Sequence, residues 1–320
     1  MSNKVISSVG IIGCGWLGGA LALQLKNEGV AVLATRSNTS NVEQLKCKDI
    51  NAKVLALPMN QNTLNDHSIF NQQCLVIAIT PQFRLGRIDY AEKVKQLVVA
   101  ASLKGNVEKI ILLSSTAVYN GLLGSVDENI ALDLSADKVS VLNAAEQAVL
   151  DFNLLNNNIS SHDKLNDDKL NKDSLKANTL KDKQDKKKGY VLRLSGLIGP
   201  NRHPGKFLLS GRMLKSPEAI VNLIHQKDAV GLILTLLKSD IDSGIFNGVS
   251  ATQISKKHFY QAAAKAVGLP MPIFEKSKLL SETSNSVKHT SKVVSGNKVK
   301  DKLNYSFVHD DLLYWLSQSD

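Results

Sequence analysis

Residues 9–18 read VGIIGCGWLG, and this stretch decides the fold. The apolar run at 9–12 has the length and composition of a buried strand, and it leads straight into Gly13, Gly15 and Gly18. Each glycine has a physical reason. Gly13 permits a tight turn, Gly15 lets the backbone come close to whatever lies over it, and Gly18 lets a helix pack on the strand. The helix that opens after Gly15 points its free N–H groups outward, where they attract an anion. The stretch therefore reads as the pyrophosphate-binding turn of a dinucleotide fold.

The flanking sequence agrees with this reading. Residues 17–26 continue as a helix that Gly29 stops, and residues 30–34 form a second buried strand. Ser40 and Glu43 have the spacing of a capping box, which predicts a short helix there. Further strands are expected at 54–57, 75–79, 109–113 and 190–194. One helix opens at Asp89 and ends at Gly105, and a long one spans 135–155. This alternation predicts a Rossmann-type α/β fold, a doubly wound parallel sheet with a smaller C-terminal substrate lobe. Residues 1–195 are expected to form the dinucleotide-binding domain and residues 196–320 the lobe, interleaved with it.

The second strand bears on the choice of ligand. About 20 residues after the glycines, a fold of this kind carries Asp or Glu when it binds NAD. This chain has Ala34-Thr35-Arg36-Ser37 instead. No carboxylate is available for the ribose 2′-hydroxyl, and Arg36 suits a 2′-phosphate through charge-assisted hydrogen bonds. NADP rather than NAD is expected.

Composition narrows the remaining classes. The 320 residues are 43% hydrophobic and 21% charged, enough for one large core or two modest ones. Cys14, Cys47 and Cys74 are too few and too irregularly spaced for a disulfide framework or a zinc site, and read as reduced thiols of a cytoplasmic protein. The start has no basic segment, apolar run and small-residue cleavage site in succession, so secretion is not expected. The apolar runs LLSSTAV and AVGLILTLL fall short of the ~20 residues that cross a bilayer, so no membrane association is expected.

A net charge of +10 raises the question of nucleic acid. Part of it lies in residues 156–188, where nine Lys face six Asp, and much of the rest lies between Lys256 and Lys302 with few aromatics. Stacking on single strands needs aromatic platforms and groove reading needs a recognisable helix motif, so nucleic acid is not an expected partner. Within residues 156–189, Leu165, Leu170, Leu175 and Leu180 recur every five positions. In a helix that turns each by ~140° from the last, so no apolar stripe forms. The segment reads as a disordered low-complexity insertion, too polar to offset its ordering entropy.

Further motifs follow in order: IILLSSTAVYNG (110–121), RLSGLIGPNRHPG (193–205), VNLIHQKDAV (221–230) and GNKVKDKLNY (296–305). Together with GCGWLG they resemble the extended short-chain dehydrogenase/reductase family, the NAD(P)-dependent epimerases and dehydratases. The match is to an atypical, nucleoside-diphosphate-sugar epimerase-like subgroup. The resemblance runs from Val9 to Phe307, interrupted by the insertion. It implies a cofactor site at Gly13, Gly15, Trp16, Leu17, Gly18, Arg36, Ser37, Thr80, Pro81 and Ser114. It also implies that Ser115 polarises a substrate carbonyl or hydroxyl, while Arg202, His203 and Arg212 hold an anionic group. His225 and Asp228 correspond to a motif that ties the substrate lobe to the sheet.

The same resemblance exposes a gap. The family's Tyr and Lys lie at i and i+4 on one helix, eight and four residues before an Ala-Glu like Ala145-Glu146, which gives Lys138 and Leu142. No tyrosine occurs between Tyr119 and Tyr190, so no shift of register restores the pair. Lys138 is a candidate acid/base, with a solvated lysine as the alternative, and Tyr119, His203 and His225 are other proton carriers. Thr116 and Ala117 stand where dehydratases carry Asp-Glu, so dehydration is not expected. Two readings stay open: an NADP-dependent enzyme acting on a nucleotide sugar or similar hydroxyl or ketone substrate, as monomer or homodimer, and a catalytically inactive NADP-binding sensor or scaffold.

Overall fold

The computed structural model describes residues 5–104, 106–154, 187–209, 211, 213–275 and 291–318. Its strands are β1 (Ser8–Ile12), β2 (Ala31–Arg36), β3 (Ala52–Val54), β4 (Cys74–Ile77), β5 (Lys109–Ser115), β6 (Gly124–Val126), β7 (Lys188–Leu194), β8 (Gly196–Ile198), β9 (Leu223–His225), β10 (Gly244–Gly248) and β11 (Lys292–Val294). The helices are α1 (Trp16–Asn27), α2 (Thr39–Lys46), α3 (Gln61–Asn65), α4 (Tyr90–Leu103), α5 (Asp137–Leu150), α6 (Gln226–Lys238), α7 (Lys256–Ala266), α8 (Asn297–Leu303) and α9 (Leu312–Ser317).

One sheet carries seven strands in the order β10-β7-β5-β4-β1-β2-β3. β1 pairs in parallel with both β2 and β4, β2 with β3, and β4 with β5. Chain order thus reverses between β1 and β4, and a crevice opens beyond the carboxyl ends of those two strands. The doubly wound α/β fold follows from the residues. Val9, Ile11 and Ile12 of β1 and the whole of β4 are buried, as strands covered by helices on both faces require.

Several boundaries differ from the sequence reading. β2 runs on to Arg36, so this arginine ends the strand. The third strand is Ala52–Val54 rather than 54–57; it is a largely exposed edge, which no apolar run announces. The N-cap of α2 is Asn38, whose side chain accepts from the Asn41 N–H, and Ser40 lies inside the helix. Asp89 makes no cap bond; its carboxylate pairs with Lys93 at 2.8 Å. Gly105 lies outside the described residues; α5 starts at Asp137 rather than 135, and after a turn at 151 residues 152–154 are helical again.

The insertion lies outside the described residues except for its last three positions, and these belong to the fold. Lys187 is buried, donates to the Ser102 carbonyl at 3.1 Å and lies over the Phe152 ring at 5.2 Å, and burial lowers its amine to about 8. At Gly189 a β-carbon would stand 1.9 Å from the Val149 carbonyl oxygen, so only glycine lets β7 pass α5 there. Lysines in a lysine-rich tract gave no sign of this, because what buries them comes from elsewhere in the chain.

The chain divides into two compact units. One comprises Met1–Ser114, Ser140–Leu192 and Ile233–Ile245; the other comprises Ser115–Val139, Arg193–Leu232 and Phe246–Asp320. In the first, the buried Lys109 donates to the carbonyls of Leu237 and Ser239, satisfying orphan acceptors at the end of α6 with a cation of favourable sign. In the second, Ile198, Val221, Phe259, Ala263, Leu312 and Leu316 form a core between α7 and α9. A turn of 3-10 helix at Pro204–Leu208 rides on α7, where a β-carbon at Gly205 would meet the Ala263 carbonyl at 2.5 Å. Among the described residues no helix is long and apolar enough to cross a membrane, and no group of three ligand-type side chains could hold a metal ion.

Candidate functional site

The glycine loop is fastened by β2. The Gly13 N–H donates to Thr35 Oγ1 at 3.3 Å and the Cys14 N–H to the Thr35 carbonyl at 2.9 Å. Gly13 has φ +86°, a conformation that L side chains rarely adopt. Gly15 is the N-cap of α1 and has no side chain to bond the first-turn N–H groups, which also meet no acidic residue. That leaves donors and a partial positive charge for an anion. Cys14 is buried, and burial raises its thiol to about 11, so it is inert packing.

Beside this loop is a cleft of about 440 Å³. Gly13, Gly15, Arg36, Ser37 and Thr80 line it, as the sequence led one to expect. Leu55, Ala56, Leu57, Gln82, Arg87 and Lys93 also line it, and sequence reading passed over all six. The apolar run at 55–57 offered a signal but was read as strand. Arg36 Nη1 donates to the Cys14 carbonyl at 2.8 Å, so part of its fork braces the loop. Three cations face the cleft, and among the described residues no carboxylate lines it. The open N–H groups, the approach at Gly15, the cations and the apolar wall fit a phosphorylated dinucleotide.

The other expected cofactor residues lie outside that lining. Gly18 packs against Ile11, a β-carbon there standing 3.2 Å from Ile11 Cγ2, which is the helix-on-strand role assigned to it. Leu17 is buried beside it, while Trp16 and Pro81 are half-buried. Ser114 is buried, and its hydroxyl donates to Glu146 Oε1 at 2.5 Å, which commits that hydroxyl to the core.

The candidate catalytic residues belong to the second unit. Ser115 ends β5, and its Oγ accepts from the Ala117 N–H at 3.1 Å, so its own proton is left to donate. Tyr119 is fully buried; its hydroxyl donates to Asn247 Oδ1 at 2.9 Å and accepts from Arg193 at 2.8 Å. Burial raises its pKa, and with both bonds filled it is a strut of the core rather than a proton carrier. Lys138 is exposed in the first turn of α5, and Leu142 is buried. Arg202 is exposed, His203 is buried, and Arg212 lies outside the described residues. Lys292 was missed: its Nζ donates to the Thr116 carbonyl at 2.7 Å and to Asn120 Oδ1 at 2.8 Å, and burial lowers it to about 8. A lone lysine in a lysine-rich stretch carries no sequence signal.

Three histidines gather round Trp315. His225 lies 4.0 Å from His309 and 5.0 Å from Trp315 between ring centroids, and His203 lies 5.6 Å from Trp315. His225 Nδ1 accepts from the Lys227 N–H and His203 Nδ1 from the Gly205 N–H, both at 3.1 Å, so each neutral ring carries its proton on Nε2. His203 Nε2 is buried with no hydrogen-bond partner among the described residues. Burial, then His309 and Lys227, lowers His225 from 6.5 to about 4.

The sign of the effect on stability follows. The folded protein binds fewer protons than the unfolded chain between about pH 6.5 and 4, so stability falls as pH drops through that window. The loss from His225 reaches about 3 kcal/mol. His225→Asn keeps an acceptor for the Lys227 N–H and removes the titration. Its thermal midpoint is expected to depend less on pH between 6.5 and 4 than that of the parent; parallel profiles by circular dichroism would refute the assignment.

No protein-family model matches the chain. Protein YeeZ of Escherichia coli is 27% identical over 312 residues, covering 96% of this chain and 98% of YeeZ. Among solved structures, the UDP-glucose 4-epimerase of Thermotoga maritima, in complex with UDP-glucose, superposes with TM-score 0.68 at 12% identity, over 98% of this chain and 97% of the other. The UDP-glucuronic acid 4-epimerase of Bacillus cereus, in complex with NAD, gives TM-score 0.68 at 15% identity, over 97% and 96%. The chain has the fold of these nucleotide-sugar epimerases, the fold that its resemblance to the extended short-chain dehydrogenases/reductases implied.

Proposed function

We propose that this protein binds NADP in the cleft beside the glycine loop and acts on a nucleotide sugar or a similar hydroxyl or ketone substrate. The observation that carries the reading is a cleft lined by Arg36, Arg87 and Lys93, with Arg36 where NAD-binding folds carry a carboxylate. The solved epimerase complexes with UDP-glucose and with NAD support the ligand classes. Bound NADP supplies the hydride acceptor. Ser115 donates a hydrogen bond to the reacting oxygen, and Arg202 and His203 hold the anionic end of the substrate, with Arg212 proposed on sequence alone. Lys138 and Lys292 are the two amines offered as acid/base, and the lowered Lys292 holds less of its proton near neutral pH.

A second reading, binding without turnover, draws on the core itself. Leu142 is buried, and the count back from Ala145-Glu146 assigns it the place of the family's ribose-holding lysine; a leucine donates no hydrogen bond. Incubation with NADP and a panel of nucleotide sugars, following cofactor reduction and sugar isomerisation together, separates the two. Turnover that falls in Lys138→Ala or Lys292→Met supports the enzyme; none with any sugar favours the sensor.

Cofactor choice has its own test. NADP is expected to bind more tightly than NAD, and Arg36→Ala is expected to narrow the difference by about 1.5–3 kcal/mol, the worth of a charge-assisted bond. Affinity for NAD falls less, because the variant loses the brace on the Cys14 carbonyl but no ligand charge. Equal calorimetric affinities in the parent protein would remove the basis of this reading.

A further inference from the structure

The cleft holds more positive charge than one 2′-phosphate contact explains, and its three cations are not equivalent. Lys93 is paired with Asp89 at 2.8 Å, so its charge is largely answered within α4 and the residue before it. Arg36 has one guanidinium nitrogen committed to the Cys14 carbonyl. Arg87 is exposed and lines the same cleft; it adds to the field of Lys93 on the Asp89 carboxylate, while its guanidinium N–H groups face the cleft rather than a fixed hydrogen-bond partner among the described residues.

Its setting is built rather than loose. Arg87 follows a tight turn between β4 and α4 in which Gln82 and Gly86 take left-handed conformations, φ 56° and 71°. The Leu85 N–H donates to the Gln82 carbonyl at 2.9 Å and the Gly86 N–H to the Phe83 carbonyl at 3.1 Å. Gly86 supplies its conformation at little cost, and the turn delivers Arg87 to the cleft wall just before α4 begins. Arg36 reaches the same cleft from the end of β2.

We propose that Arg87 is a specificity-determining residue, the second arm of a two-arginine grip on the 2′-phosphate of NADP. This rests on the NADP reading above. A phosphate monoester carries nearly two negative charges and three acceptor oxygens, more than the uncommitted part of Arg36 satisfies. A second guanidinium from another segment fills the remaining acceptors. It also makes recognition depend on the β4–α4 loop as well as on β2. NAD lacks the group that both arms bind.

The test is a set of calorimetric titrations of the full chain with NADP, NAD, adenosine 2′,5′-bisphosphate and AMP. Arg87→Ala and Arg87→Gln are expected to weaken NADP and the bisphosphate by about 10- to 100-fold, and NAD and AMP by less than about threefold. Arg87→Lys keeps the charge but not the fork, and falls between. Equal losses for all four ligands would mean that Arg87 stacks on the base or meets the pyrophosphate, and would overturn the proposal. So would a parent preference for NADP that survives both substitutions, leaving the NADP reading intact. A parent protein with no preference between NADP and NAD overturns both readings.

Discussion

Gly13→Ala is expected to lower folding stability by about 2–4 kcal/mol, while Gly15→Ala leaves stability within about 0.5 kcal/mol and abolishes tight cofactor binding. The two glycines differ in what a methyl group would meet. At Gly13 a β-carbon would stand 2.9 Å from both the backbone N and Cγ2 of Ile79 and 3.0 Å from the Ala78 carbonyl carbon, at φ +86°. These backbone atoms follow directly on β4, where the Ala78 N–H is held by the Ile12 carbonyl at 2.8 Å, so they resist moving aside, and the dihedral adds a cost of its own. At Gly15 the nearest atom is an Arg36 nitrogen at 3.5 Å, ordinary van der Waals contact, so alanine there displaces nothing. Its methyl group instead fills the space through which a pyrophosphate approaches the backbone. Gly19 is the control, with nothing within 4 Å of its β-carbon position. Gly19→Ala is expected to stabilise α1 by about 0.5–1 kcal/mol without changing affinity. Urea melts with NADP titrations of the three variants check the series; tight binding retained by a folded Gly15→Ala protein would sink the phosphate assignment.

Asp228→Ala is expected to cost about 3–5 kcal/mol. Its carboxylate is fully buried and accepts from the Val308 N–H at 2.6 Å, the His309 N–H at 2.9 Å and the Tyr305 hydroxyl at 3.1 Å. Alanine leaves the Val308 and His309 N–H groups unanswered, each worth about 1–3 kcal/mol when buried, while the Tyr305 hydroxyl keeps only the Asp228 carbonyl at 3.3 Å. The same clamp brings Tyr305 against α6, where a β-carbon at Gly231 would fall 2.1 Å from the tyrosine oxygen. Asp228→Asn is expected to recover only part of the loss, because one amide oxygen replaces two acceptor oxygens and an N–H₂ meets an N–H. Proteolysis of the variant is expected to cut first between residues 304 and 309, which the carboxylate holds. A loss below about 1 kcal/mol would show that the clamp is dispensable.

The sequence alone determined the sheet and the glycine turn. An apolar run followed by Gly13, Gly15 and Gly18 has few physical solutions, because glycine spacing and helix polarity act within one turn of chain. That no tyrosine stands at positions 120–189 was equally legible, since a residue absent from that stretch is absent in every register. The resemblance implied that Asp228 ties the lobe to the sheet; its carboxylate instead holds residues 305–309 to the start of α6, which no motif announced. Tertiary structure decided what depends on burial and on neighbours distant in sequence. Tyr119 became a strut because Arg193 and Asn247 reach its hydroxyl from 74 and 128 residues away. Ser114 was turned to Glu146, Lys187 was drawn into the fold out of a low-complexity tract, and Arg87 and Lys93 joined Arg36 at one cleft. A charged side chain reads the same in sequence whether solvated or buried; only the groups packed round it set its charge, its bonds and its use.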